Sequence, residues 1–481
     1  MLFRSMIHSS GSASAPMNTS LTLNSPLRVV SLVVLLSCAF ATLASQTHAQ
    51  DTCYFVGGVD NSWTTPGNWQ DGNDFTPGGS PDGTACDATS GGIAGIPGQD
   101  DSVVIMPDQR VEIDFFFSDG TGIEGPLANV ELRSGSSSSG TQFRNNVQDN
   151  PLTITGDLII PSNTGFFYNA PAAGGDGDIT VQGNATMGDD FIAFAFNGSR
   201  IGFPDTQGDL TVEGNLTIQS GNVQMSDGSL YSDLTVGGNF TNSGTLTIEF
   251  DTDNASSSTI TLNGGSGTQT VTGADFDLPG IVVTSGSTVD FTDAATAVTS
   301  DGATLTIDNQ GTLQFSSGLT LETDGSTGTV SLSGNAIDLS DNFTIPSASS
   351  GITVSGTADL NFVGSGNIDA PGATIPGVTV SSGAVSVIND ATTIDGDLSI
   401  SAGSSFDLND ISGSNVGVTG SVTANGDLGL SSLGSGTGLA IGGNLELNGT
   451  FSNDGDRVVM NGSSAQTISG DFSGDGNAGN G

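Results

Sequence analysis

Short strand-like segments that end in Gly-Asn recur along this chain and leave few folds open to it. Leu210–Asn215 and Leu234–Asn239 both read Leu-Thr-Val-x-Gly-Asn, and Ile179–Asn184 and Leu439–Asn444 are close variants. Alternation of apolar residues with threonine predicts strands with one buried face. Glycine and asparagine tolerate the positive φ of a sharp corner. Successive phrases start 31 residues apart (179 to 210) and then 24 residues apart (210 to 234). This spacing predicts about one β-helix coil per phrase, with the asparagine of one coil stacked over that of the next.

A longer phrase recurs about every 100 residues. It begins at Ile260 (ITLNGGSGTQTVTGADF), in degenerate form at Leu360, and again at Val458 (VVMNGSSAQTISGDF), so the starts are 100 and 98 residues apart. The segments VGGNF, LSDNF and IGGNL precede the three copies. This spacing predicts a superrepeat of 98–100 residues from about residue 234, with roughly four coils per unit. The last copy breaks off, so we expect the chain to be a C-terminally truncated fragment.

We therefore predict an all-β fold: a right-handed parallel β-helix, or β-solenoid, over residues 116–481. The alternative is a string of β-sandwich domains of about 100 residues each. Irregular strand spacing, the lack of proline-rich linkers and the presence of only three tyrosines and two tryptophans favour the solenoid.

Residues 1–49 have the pattern of a secretory signal peptide. Arg28 precedes an apolar run, a polar segment (Ser45–His48) follows, and we place the cleavage site after the small residue Ala49. Two alternatives are lipoprotein processing at Cys38 and a membrane anchor, although the run is short for a span of about 20 residues. We therefore expect a secreted or cell-surface protein whose mature chain has no transmembrane segment.

Residues 50–115 differ in composition and are predicted to cap the first coil, where unpaired strand edges would otherwise recruit other chains. They contain Trp63, Trp69, Cys53 and Cys86. An even cysteine pair in an exported chain predicts a disulfide between Cys53 and Cys86. The alternative use of the two tryptophans is a carbohydrate-binding face.

The charge of the chain excludes one class of partner. The signal contains Arg4 and Arg28. The rest of the chain has five arginines, no lysine and 51 acidic residues, which gives it a net charge of −46. Nucleic acid is not an expected partner, because its binding needs cations that neutralise phosphates. Such a chain is expected to need screening salt. Its composition resembles that of proteins from halophilic or marine organisms.

Most side-chain chemistry is also excluded. Both histidines, His8 and His48, lie in the signal, so the mature chain can build neither a Ser-His-Asp triad nor a His-ligated zinc site. Carboxylates remain, and the best catalytic candidates are Asp189 and Asp190 for a hydrolase, with Arg200 as a lyase base. In a chain this rich in aspartate, these residues also fit an ordinary solvated surface.

Calcium is the candidate cofactor, because hard oxygen ligands on turns suit this ion. Each candidate pair also fits a solvated turn that holds no metal. The candidate ligands are Asp176, Asp178, Asp251, Asp253, Asp395 and Asp397.

Gly57-Gly58, Trp63, Asn68-Trp69 and the segment Asp100–Ile105 form an ordered series near the start of the mature chain. Together with the repeats, this series resembles secreted bacterial surface β-helix proteins of the adhesin or autotransporter-passenger kind. The resemblance implies a non-enzymatic structural or adhesive role, with surface polysaccharide or other cell-surface proteins as partners. The alternative is a carbohydrate-active β-helix enzyme. A third class, ice or mineral binding, needs threonine columns at constant coil spacing, and the irregular loop lengths argue against it.

Overall fold

In a computed structural model, the chain forms a β-solenoid in which three rows of short, mostly parallel strands stack coil upon coil. The compact unit that contains the solenoid spans Gln50–Gly481. Among the residues that the structure describes, helix is limited to the 3-10 turns Pro66–Asn68 and Ser347–Ser349. The described residues are 51–470 without 73–74, 76–78, 88, 91–92, 99, 114–125, 136–140, 146–151, 161–165, 170–177, 189–191, 195–208, 220–221, 225–232, 244, 248–258, 266, 274–276, 279, 300–301, 303, 324, 350, 390, 410–414, 432–437 and 454–455.

Face I is a nine-stranded parallel sheet in which each strand pairs with its equivalent on the next coil. Its strands are Leu152–Ile154, Ile179–Val181, Leu210–Val212, Leu234–Val236, Thr259–Leu262, Gly280–Val283, Thr304–Asn309, Gly328–Gly334 and Ile352–Gly356.

Face II follows each face I strand across a corner and belongs to a 22-stranded sheet. Its strands are Thr52–Phe55, Ser102–Ile105, Val130–Leu132, Leu158–Ile160, Ala185–Met187, Leu216–Ile218, Phe240–Asn242, Thr268–Thr272, Thr288–Phe291, Thr312–Phe315, Ile337–Leu339, Leu360–Phe362, Thr374–Val380, Thr393–Ile400, Val422–Ala424, Leu445–Leu447 and Ile468–Gly470.

Two long strands join faces I and II near the C-terminal end. In Thr393–Ile400, Ile394 pairs with Val418 while Leu398 pairs with Val422, so its two halves lie on different faces. The same sheet therefore also includes three short strands that continue face I: Val416–Val418, Gly438–Ile441 and Arg457–Met460.

Face III closes each coil and consists of two parallel sheets, of six and nine strands. The first contains Arg110–Ile113, Gln142–Asn145, Phe166–Asn169, Ile192–Phe194, Asn222–Gln224 and Thr245–Thr247. The second contains Asp277–Leu278, Ala295–Thr299, Leu319–Thr323, Phe343–Thr344, Gly366–Asp369, Ala384–Val387, Ser405–Asn409, Asp427–Ser431 and Phe451–Asn453.

The core fills the space between the three faces. In Leu210–Val212, for example, Leu210 and Val212 are buried while Thr211 between them points outward, as period-two alternation predicts. Phe291 and Phe315 lie on neighbouring coils of face II and stack with their ring centroids 4.8 Å apart. Each coil buries its apolar residues against its neighbours, so stability depends on stacking. The predicted all-β solenoid is confirmed.

The N-terminal cap begins as part of the solenoid. Thr52–Phe55 pairs in parallel with Ser102–Ile105 and, on its other edge, antiparallel with Trp69–Gly72. A further antiparallel strand, Pro81–Ala85, completes this end of face II, and a two-stranded ribbon joins Thr89–Ser90 to Ile93–Ala94. Cys53 and Cys86 form the predicted disulfide, with Cα atoms 5.6 Å apart.

The three copies of the long phrase do not all occupy the same place in a coil. Ile260 and Val458 both lie on strands of face I or its continuation, and each phrase leads into face II. Leu360 instead lies on a face II strand and pairs with Ile337. The second copy is therefore displaced by one face of the solenoid. The spacing of the phrases along the sequence does not by itself determine which residues lie at the corners of a coil.

Candidate functional site

A column of hydrogen-bonded side chains runs along the corner between faces I and II. The Asn184 side-chain oxygen accepts a hydrogen bond of 3.0 Å from the backbone N–H of Asn215. The Asn215 side-chain oxygen accepts one of 2.8 Å from the N–H of Asn239. The Asn215 amide group also donates to Asn184 Oδ1 at 3.0 Å. The predicted stacking of Asn over Asn is confirmed, and it satisfies corner N–H groups that the strand ladders leave free.

The glycine before each asparagine does not have the predicted role of adopting a positive φ. Gly183 and Gly214 are not among the residues with positive φ. A Cβ atom on Gly214 would instead lie 2.3 Å from the carbonyl oxygen of Gly183 on the preceding coil. The corner thus needs glycine because two backbones approach closely, and not because the chain turns through the left-handed region.

Aspartates form a second column at the corner before face I. The Asp178 carboxylate accepts a hydrogen bond of 3.0 Å from the N–H of Asp209, whose carboxylate accepts one of 3.1 Å from the N–H of Asp233. Asp233 then accepts from both the N–H and the hydroxyl of Thr259, each at 2.7 Å. The calcium candidate Asp178 therefore has one carboxylate oxygen committed to the next coil.

Asp395 and Asp397 have similar contacts. Asp395 accepts a hydrogen bond of 2.9 Å from the hydroxyl of Thr419, and Asp397 accepts one of 2.7 Å from the N–H of Ser421. Burial, together with the negative charge of Asp397, raises the pKa of Asp359 above its ordinary value. The two candidate ligands thus tie adjacent coils together, and Asp397 lies near the carboxyl group of Asp359.

The remaining candidates, Asp176, Asp189, Asp190, Arg200, Asp251 and Asp253, lie outside the described residues. Within the described part of the chain, no group of three or more Asp, Glu, His or Cys side chains could hold a metal ion.

The two tryptophans of the cap are core residues. Trp63 is 2% exposed and Trp69 is 1% exposed, and their ring centroids are 4.8 Å apart. Trp69 Nε1 donates a hydrogen bond of 2.7 Å to the carbonyl of Trp63, and Trp63 packs edge-on against Phe143 of face III. Rings buried in this way cannot stack on a sugar, so the carbohydrate-face alternative is wrong for this pair.

Sequence reasoning missed a cluster of carboxyl groups in the cap. Burial, together with the negative charges of Asp87, Asp101 and Asp71, raises the pKa of Asp51 to about 6. Asp101 is also buried, which raises its pKa, although Asp101 Oδ2 accepts a hydrogen bond of 2.8 Å from the N–H of Gly98. The four residues are distant in sequence and meet only because the strands of the cap pair, so no local motif marks them.

An outward column of threonines follows face I. Thr153, Thr180, Thr211, Thr235 and Thr261 are direct partners on five successive coils. Corner hydrogen bonds along the same coils join residues 27, 31, 24 and 26 positions apart. Irregular coil length therefore does not disturb the threonine column, and the sequence argument against such columns is wrong.

Comparisons with known proteins give no family. No protein-family model, no curated protein and no solved structure matches this chain significantly. In the part of the chain that the structure describes, no helix has the length and apolar character needed to cross a membrane. The class that the fold defines is therefore that of β-solenoid repeat proteins.

Proposed function

We propose that this chain is a non-enzymatic, extracellular or cell-surface β-solenoid with a structural or adhesive role. The observation that carries the proposal is the use of polar side chains at the corners, such as Asn215 and Asp233, to hold one coil on the next. Because these side chains are hydrogen-bonded to the next coil, they make the solenoid rigid and are not free to act on a substrate. Export through the signal at residues 1–49 is part of the proposal.

The threonine column supports an adhesive role. Strands on neighbouring coils lie about 4.8 Å apart, so the column from Thr153 to Thr261 repeats hydroxyl groups at short, regular intervals. A ligand with its own repeat, such as surface polysaccharide, can hydrogen-bond to several coils at once and gain from multivalency. Other cell-surface proteins are the second partner class.

The alternative is a polysaccharide lyase or hydrolase of the β-helix type. It would act through Asp189 or Asp190, which follow the face II strand Ala185–Met187 in sequence, with Arg200 as the base of a lyase. A clustered pair of carboxyl groups is the minimum that such a hydrolase needs.

One experiment separates the two functions. The purified chain is presented to a panel of neutral and acidic polysaccharides, and both retention and the release of new chain ends are measured. We expect retention without turnover. Turnover that disappears in Asp190→Asn would overturn the proposal in favour of the enzyme. Absence of both retention and turnover would remove the adhesive role and leave the structural one.

A test of the threonine column follows from the same panel. Thr211→Val keeps the shape and the strand propensity of the residue but removes one outward hydroxyl. We expect weaker retention with an unchanged melting temperature. Thr423→Val, on the outward side of face II far from the column, is the matched control and should bind normally.

A further inference from the structure

Strand pairing in the cap gathers carboxyl groups around Cys53. Asp71 lies directly opposite Cys53 on the neighbouring antiparallel strand. Asp51 is two residues before Cys53, so its side chain points to the same side of the sheet. Asp101 precedes Ser102, whose N–H donates a hydrogen bond of 2.8 Å to the carbonyl of Asp51, so Asp101 lies opposite Asp51. Backbone pairing therefore puts three acids on the inner side of the sheet.

The disulfide brings a fourth carboxyl group to the same place. Cys86 is bonded to Cys53, and Asp87 follows Cys86 directly in the sequence. The side chains of Asp51 and Asp87 are hydrogen-bonded to each other. Two carboxyl groups can form such a bond only when one of them carries a proton. When both ionise, the bond is lost and the two negative charges repel each other.

The other charged groups near this pair do not offset its charge. Those that act on Asp51 are all aspartates, and Asp100 adds a further negative charge beside Asp101. Glu131 and Arg133 form an ion pair of 3.0 Å. That pair lies on the outward side of the sheet, the side opposite Cys53, because Glu131 follows Tyr54 in the same outward column. Ionisation therefore adds negative charge to an inner side that is already acidic.

The disulfide determines whether opening of the cap can relieve this repulsion. Asp51 is two residues from Cys53 and Asp87 is next to Cys86, so the bond keeps the two carboxyl groups together even when the strands separate. Without the bond, separation of the strands moves the two charges apart. Proton binding then differs more between the closed and open forms, and pH acts on the opening equilibrium in proportion to that difference.

We propose that the cap is a pH-dependent latch that the Cys53–Cys86 disulfide holds shut, so that it opens only when the bond is reduced and the carboxyl groups are ionised. A dithiol reductant supplies the two electrons. The S–S bond of the protein breaks, the two hydrogens of the reductant's thiols end on the cysteines, and the reductant closes its own disulfide.

The moving part of the latch is the cap hairpin, Trp69–Gly72 with Pro81–Ala85. The first of these strands pairs with the outer edge of Thr52–Phe55, the first strand of face II. Release of the cap hairpin exposes that edge, and a free strand edge can pair with another chain. The latch therefore controls whether the first coil is covered.

The two tryptophans of the chain report on the latch, because Trp63 and Trp69 both lie in the cap and are 2% and 1% exposed. The measurement is the quenching of their fluorescence by acrylamide, a neutral molecule, as the pH is raised from about 4 to about 7.5 at fixed ionic strength. The double variant Cys53→Ser/Cys86→Ser needs no reductant. Its open-to-closed ratio should rise by up to about 100-fold, because the pKa of Asp51 is about 6 in the closed cap against an ordinary 3.8. The chain with its disulfide should stay closed over the same range.

Asp51→Asn in the double variant should remove the rise, because asparagine can donate a hydrogen bond to Asp87 at every pH. Asp82→Asn is the matched control. It removes one exposed carboxylate from the cap hairpin, keeps an acceptor for the N–H of Thr84, and should leave the rise intact. An equal rise in the chain with its disulfide, or a rise that survives Asp51→Asn, would overturn the proposal.

A second measurement covers the case in which the double variant fails to form the cap. The unmodified chain is reduced with dithiothreitol at about pH 7.5 and returned to about pH 4 without an oxidant. Both tryptophans should be accessible to acrylamide at the higher pH and buried again at the lower one. Quenching that does not change between the two pH values would overturn the proposal. The inference concerns the cap and holds whether or not the faces of the solenoid are adhesive.

Discussion

The side-chain amide of Gln269 donates a hydrogen bond of 2.9 Å to the backbone carbonyl of Val236 on the preceding coil. Gln466 makes the equivalent bond, also of 2.9 Å, to the carbonyl of Ile441. Val236 and Ile441 stand directly before the two Gly-Gly-Asn corners. In the first and third copies, a glutamine of the long phrase therefore hydrogen-bonds to the segment upstream of that phrase. This contact explains why the phrase and the segment recur together.

Replacing Gln269 with Ala should destabilise the solenoid by about 1–3 kcal/mol, because it removes the side-chain amide that donates to the carbonyls of both Val236 and Gly238. Gln269 is only 2% exposed, so water cannot readily take its place. Denaturant unfolding measures the change. Gln310→Ala is the control, since the exposed side chain of Gln310 donates to Asp308 at the surface and its loss should cost less than about 0.5 kcal/mol. Equal effects of the two substitutions would contradict the role of Gln269.

The asparagine column predicts a graded response at Asn215. Asn215→Ala removes both the acceptor for the N–H of Asn239 and the donor to Asn184, and should cost about 1–3 kcal/mol. Asn215→Asp keeps the acceptor and should cost less. Hydrogen exchange of the Asn239 amide should accelerate in the alanine variant. The column would lose its assigned role if exchange were equally fast in both variants.

The raised pKa of Asp51 predicts a pH dependence of the cap. A carboxyl group whose folded pKa is about 6, against an ordinary 3.8, binds its proton more tightly in the folded state. Stability from this group is therefore present at low pH and falls as the pH rises from about 4 to 6. Melting temperatures at fixed ionic strength should show this fall, and Asp51→Asn should flatten it.

Asp60 provides the control of opposite sign. Hydrogen bonds from Asn68 and from the N–H of Ser62 lower the pKa of Asp60, so its contribution is present above its ordinary pKa and is lost as the pH falls. Asp60→Asn should therefore lower stability at neutral pH more than in acid. The same pH profile for both variants would contradict these assignments.

Breaking the Cys53–Cys86 disulfide should destabilise the cap before the rest of the solenoid. The bond closes a loop across a sequence separation of 33, for which chain entropy gives about 3–4 kcal/mol. The double variant Cys53→Ser/Cys86→Ser should show early exposure of the buried Trp63 and Trp69 by fluorescence. Hydrogen exchange in Leu305–Ile307, deep in the solenoid, serves as the internal control and should change little.

Salt should raise the melting temperature, because a net charge of −44 opposes the compact state. Sodium and calcium chloride at equal ionic strength distinguish screening from binding. Equal shifts indicate screening alone, whereas a larger shift with calcium that EDTA reverses indicates a specific site. A melting temperature that stays constant with added salt would contradict the screening argument.

Alternation along the chain was sufficient to predict much of this fold. The pattern in Leu210–Val212 and Leu234–Val236 identifies strands with one buried side, and Gly-Asn marks the corners between them. The Cys53–Cys86 pair was also predictable, since the chain after residue 49 contains only these two cysteines and they allow one pairing. The strands and corners depend on residues that are neighbours in sequence, and the disulfide depends on there being one possible pairing.

Other features depended on which coils lie next to each other. The sequence alone determined that this chain forms short parallel strands in stacked coils. Only the tertiary structure decided that Leu360 lies one face away from Ile260 and Val458, and that Asp51 meets Asp87 and Asp101. The physical reason is that loops absorb differences in coil length, so the pairing between coils, and not spacing along the chain, determines which side chains meet.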